Sequence, residues 1–171
     1  MKIKFLPLLL VMIATSAMAA DKYLSSDFGF AAAFPADVVQ TQVTSDVSTF
    51  VAGAPGGGWV AQVKAFKNVT MPQDVGKKFM ETKLAEVLSD GGMTQTGNSS
   101  YTQFHHYPAL FTTATFFVNN ANTSYLSRRV AVDMELIFVP AQNRFYFVAG
   151  WAVQGLDRSA IQPFINSFEL R

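Results

Sequence analysis

The chain has no cysteine and only two histidines, and 15% of its residues are charged. The first absence removes disulfides, thiolate nucleophiles and cysteine-rich zinc sites together. The histidines, His105 and His106, are adjacent. Read as part of an extended segment leading to a turn at Pro108, they point to opposite faces and share neither a metal ion nor a substrate. No Gly-x-Ser-x-Gly elbow occurs, and no glycine cluster is followed by Gly-Lys-Ser/Thr. No apolar run reaches the roughly 20 residues that a membrane-spanning helix needs. A basic stripe is lacking as well, which argues against nucleic acid as a partner. These absences together predict a protein that is not an enzyme, with no catalytic residue, no metal ligand and no cofactor.

What is present begins with a signal. Lys2 and Lys4 precede an apolar run over 5–13, followed by small residues and Ala17-Met18-Ala19, the pattern of a secretory signal peptide cut between Ala19 and Ala20. No cysteine follows the cut, so no lipid anchor of the bacterial lipoprotein kind is expected. Taking Lys2 and Lys4 from the 13 basic residues leaves 11 against 12 acidic ones, a formal charge near −1. The expected organisation is a signal peptide over 1–19 and one domain over 20–171, exported to the periplasm or secreted, and not inserted in a membrane. A chain of about 150 residues buries a substantial core without disulfides, and 16 phenylalanines supply it.

Three apolar segments in succession dominate the second half. Over 130–138, Val130, Val132, Met134, Leu136 and Phe138 alternate with Ala131, Asp133, Glu135 and Ile137, the period of two of a strand. Segments 109–118 and 144–153 are apolar on both faces, as in strands that lie mid-sheet under cover on each side. The breaks between them are too short for parallel crossovers, so the three predict an antiparallel meander. Earlier, Phe28, Phe30, Ala32 and Phe34 alternate after a Ser25-Ser26-Asp27 turn and open the sheet with a hairpin. A short strand is expected over 38–43. Two more, over 47–52 and 59–66, flank the glycine-rich stretch 53–58, which reads as a hairpin loop.

Two helices are expected. The first, over 71–90, has Thr70 and Gln73 spaced as a capping box, Pro72 in its first turn, an apolar stripe of Phe79, Met80, Leu84, Val87 and Leu88, and Gly91-Gly92 as its stop. The second, over 160–168, follows Ser159 and Gln162 in another capping-box spacing and repeats Ile161, Phe164, Ile165 and Phe168 at helical intervals. The predicted fold class is α+β, with a central antiparallel sheet and a long helix and a short C-terminal helix packed on its faces.

Phe28-Gly29-Phe30, Phe34-Pro35, the helix introduced by Pro72, the meander and the closing Asn166-Ser167-Phe168 together resemble the Mog1/PsbP-like domains. The resemblance spans nearly all of the chain after the signal. It implies a sheet with helices on both faces and a small extrinsic or accessory binding protein, and it carries no catalytic residue onto this sequence. The expected function is therefore an exported binding or accessory module acting on another envelope protein. The alternative is a carrier that holds an apolar small molecule or lipid between sheet and helix. Candidate partner-binding residues are Arg128, at the sheet rim, and Gly56 and Gly57 in the glycine-rich loop. Asp133 and Glu135, two apart on one strand, form a carboxylate pair expected on a solvated face.

Overall fold

The computed structural model describes residues 22–53, 59–70, 77–119, 129–141, 143–153, 155 and 157–171. Its elements in chain order are β1 (Tyr23–Ser25), β2 (Phe30–Ala32), β3 (Val39–Val43), β4 (Val47–Gly53), β5 (Trp59–Phe66), α1 (Lys77–Asp90), β6 (Thr94–Gln95), β7 (Ser100–Phe104), β8 (Tyr107–Asn119), β9 (Arg129–Ala141), β10 (Arg144–Val153), α2 (Ile161–Ser167) and β11 (Glu169–Leu170). Eight of the strands form one antiparallel sheet in the order β3-β4-β5-β10-β9-β8, with β6 and β7 both paired to the outer side of β8. The chain enters at one edge through β3, β4 and β5. After α1 it resumes at the opposite edge and works back through β8 and β9 until β10 closes against β5.

The expected fold class needs correction. Strand far outnumbers helix, and α1 has 14 residues and α2 only 7, so the molecule is built on a large sheet rather than on a sheet and a long helix. Residues 71–76, with Pro72 and Gln73 of the first capping box, lie outside the described residues. The strands not expected from the sequence, β6, β7 and β11, run for only two, five and two residues. A marginal strand takes its hydrogen bonds from a neighbour without burying a face, so it leaves no alternation to read. The second capping box does not form. Ala160 is the N-cap, without a side-chain hydrogen bond, because Ser159 turns back and donates from both its N–H and its hydroxyl to Asp157, at 2.8 and 2.9 Å.

The cover over the two faces differs in kind. On one face α1 lays Met80, Leu84 and Val87 on Phe66, Leu110, Phe138, Phe145, Phe147 and Trp151. Its C-terminus is a Schellman motif: Met93 N–H donates to Leu88 O and Gly92 N–H to Ser89 O, with Gly92 at φ +60°. The other face carries α2 together with a second sheet, β1-β2-β11. Here Phe28, Phe30, Phe34, Phe164 and Phe168 pack on Phe50, Val63, Tyr146 and Val148. Phe30 meets Phe50 at 5.0 Å and Phe34 meets Phe164 at 5.0 Å between ring centroids, spacings at which aromatic pairs add attraction beyond simple burial. The strand β10 therefore runs buried on both sides, exposed only toward its ends.

Candidate functional site

The three expected partner-binding residues all lie outside the described residues. Arg128 lies outside the described residues, immediately before the first residue of β9. Gly56 and Gly57 also lie outside them, in the connection between β4 and β5, which pair antiparallel with Gly53 opposite Val60. Asp133 and Glu135 share register with Ala152 and Gly150 on β10 and with Thr115 and Thr113 on β8. The side chains of Asp133 and Glu135 themselves lie outside what the structure describes. The histidines are placed differently from the expectation. Phe104 pairs with Tyr107, and His105 and His106 form the two-residue loop of the β7–β8 hairpin with φ of 46° and 77°. Positive φ at both positions is what a primed hairpin turn demands. They occupy a loop tip rather than an extended run.

Among the described residues a group converges at the corner where this hairpin tip, the β1–β2 turn, the start of β10 and the residues after β11 meet. Two small clefts open there. One, of about 200 Å³, is lined by His105, Tyr107, Glu169, Leu170 and Arg171. Its neighbour, of about 210 Å³, is lined by Gly29, Tyr107, Ala141, Arg144, Tyr146, Leu170 and Arg171. Tyr107, Leu170 and Arg171 border both, so the two form one divided groove.

Local structure explains each position. The β1–β2 turn brings Gly29 to φ +63°, a conformation open to glycine at little cost. Its carbonyl accepts the Arg171 N–H at 2.9 Å, which ties the chain's last strand to the turn. Tyr146, on β10, reaches beneath the same turn and donates its hydroxyl to Phe28 O at 2.7 Å. Arg144 opens β10 opposite Ala141, and its guanidinium lies directly against Gly29. A Cβ on residue 29 would collide with Arg144 Nη1 and stand 3.0 Å from its Cζ.

The electrostatics divide the groove. At the His105 end, Glu169 accepts hydrogen bonds from Lys22 and from Arg171, the latter at 3.0 Å. The Lys22 bond above all, with smaller help from the charges of Lys22, Arg171 and His105, holds the Glu169 carboxyl below the usual range. At the other end, burial pushes the Tyr146 phenol up, partly offset by a hydrogen bond from Arg144. Tyr146 therefore stays a neutral donor. Among the described residues no carboxylate side chain is paired with Arg144, and no group of three or more His, Cys, Asp or Glu side chains is placed to hold a metal ion. The groove offers guanidinium and hydroxyl donors at one end and an already neutralised carboxylate at the other, a set suited to holding an anion.

Sequence reasoning missed this corner because its members come from four separate turns and termini. The one local signal was Gly29 between Phe28 and Phe30, a residue without a side chain inside an alternating apolar run, which marks a bend or a close approach.

No family model matches the chain, and no curated protein matches it. Among solved structures, the chain is similar to a crystal structure of a protein from Bacteroides thetaiotaomicron VPI-5482, with 15% sequence identity and a TM-score of 0.53. The match covers 90% of this chain and 49% of the other, so the chain spans about half the length of that protein. The likeness concerns the fold alone.

Proposed function

We propose that this protein is an exported, non-enzymatic binding or accessory module that recognises another envelope protein through the corner groove. The observation that carries the reading is the position of the concave surface. Both faces of the large sheet are filled by aromatic and aliphatic side chains, whereas the two clefts lie at the rim and are walled by charged and hydroxyl-bearing residues. The signal-like start of the sequence supports the export step. The resemblance to Mog1/PsbP-like domains, many of them extrinsic or accessory proteins, points the same way. Recognition by loops and turns held on a rigid sheet is a common arrangement. The test is cross-linking of the tagged protein in its own envelope fraction, followed by identification of the adducts. A single dominant protein adduct, lost when Arg144 and Arg171 are both replaced by Gln, is the expected result. Recovery of the uncleaved chain in the cytoplasm, or an adduct indifferent to the double replacement, overturns the reading.

A further inference from the structure

Resting on that reading and naming its chemistry, we propose that the groove is an oxyanion site, in which Arg144 and Arg171 take one carboxylate or phosphate group presented by the partner. Lys22 and Arg171 both bond the side-chain carboxylate of Glu169, and Arg144 lines the neighbouring cleft together with Arg171, so three cations in the groove stand against one side-chain carboxylate. Among the described residues Arg144 has no side-chain carboxylate partner, and its guanidinium lies against Gly29 beside the main-chain oxygen of Arg171. Gly29 leaves room for the guanidinium where a side chain would displace it, and Tyr146, anchored on Phe28 O, lines the same cleft two residues further along β10. A planar guanidinium whose position is set in advance binds a two-oxygen anion with less loss of freedom than a mobile one.

Size narrows the ligand. Pockets for whole drug-sized molecules measure about 300 to 1,000 Å³, and each cleft here is about 200 Å³. An anionic group with a few attached atoms fits; an extended chain does not. Leu170 and Tyr107, both half-buried, give the ligand's carbon skeleton an apolar and aromatic border between the two clefts.

The experiment is titration of the full-length exported protein at low salt with inorganic phosphate and, separately, with succinate. It is followed by calorimetry and by the arginine Nε–Hε resonances. Saturable one-site binding of at least one probe is expected, with the Arg144 signal moving. Arg144→Lys keeps the charge and loses the fork, and it should weaken binding about tenfold, or 1.4 kcal/mol. Arg144→Gln should abolish it. The tighter of the two probes assigns phosphate or carboxylate as the natural group. Absence of saturation with both probes, or equal binding by folded Arg144→Gln protein, overturns the proposal. The titration reads the groove without any protein partner, so anion binding without a cross-linked adduct removes the partner reading alone, and the reverse outcome removes only the oxyanion site.

Discussion

Thr112 sits in the apolar row of β8, between Leu110 and Ala114 on the face covered by α1, and is fully buried. Its hydroxyl is the one buried side-chain oxygen without a hydrogen-bond partner among the described residues. A hydroxyl taken from water and left unbonded costs about 1 to 3 kcal/mol, whereas valine fills the same volume with a methyl group. Thr112→Val is therefore expected to stabilise the protein by about 1 kcal/mol, a rise of a few degrees in Tm for a domain of this size. Thr112→Ser, which keeps the hydroxyl and removes the methyl, is expected to destabilise it. Thermal melts of the three proteins decide the matter. A valine variant no more stable than the wild type would mean that the hydroxyl has a partner, such as a buried water. The sequence showed a polar residue inside an apolar row but gave no means of telling a bonded hydroxyl from an orphan.

At the scale of elements, legibility followed burial. The meander β8-β9-β10 was readable because its strands alternate or run apolar on both faces, and the observed register, with Leu110 opposite Phe138 and Phe138 opposite Phe147, brings those rows together. The end of α1 was equally readable, since paired glycines have few other uses after an amphipathic run. The marginal strands were not, and α2 was given a side-chain cap that Ser159 spends on Asp157 instead. What positions α2 is contact with the sheet. A Cβ on Gly150 would stand 2.7 Å from Ile161 Cγ2 and 3.3 Å from its Cβ, so the helix rests directly on the β10 backbone. Gly150→Ala is expected to push α2 outward and to cost about 1 to 3 kcal/mol, the usual range for overpacking. In an Ile161→Ala background, where Cγ2 is gone, the same replacement should cost distinctly less. Urea unfolding of the four proteins measures that coupling. Strictly additive costs would show that the helix is not seated where Gly150 admits it.

For the whole molecule the open contest is between a binding module and a carrier of an apolar ligand, and it turns on what the phenylalanines do. Phe66, Phe138, Phe145 and Phe147 lie under α1, and Phe28, Phe30, Phe34, Phe50, Phe164 and Phe168 lie between the two sheets and α2, each with no more than 4% of its surface exposed. They meet one another at ordinary aromatic distances, which leaves their rings facing protein rather than a lumen. Fully burying one such side chain is worth about 1.5 to 3 kcal/mol, and the net stability of a domain is only about 5 to 15 kcal/mol. A carrier that opened either face to admit an acyl chain would forfeit several of these contributions at once. The clefts at the corner are no substitute, being polar and about 200 Å³ each. The expected outcome is that protein purified from the envelope without detergent shows the mass of the chain cut after Ala19 in native mass spectrometry and yields no stoichiometric lipid on solvent extraction. A co-purifying apolar molecule near one per chain would require a cavity between sheet and helix that closes when empty, and it would make the carrier the better reading.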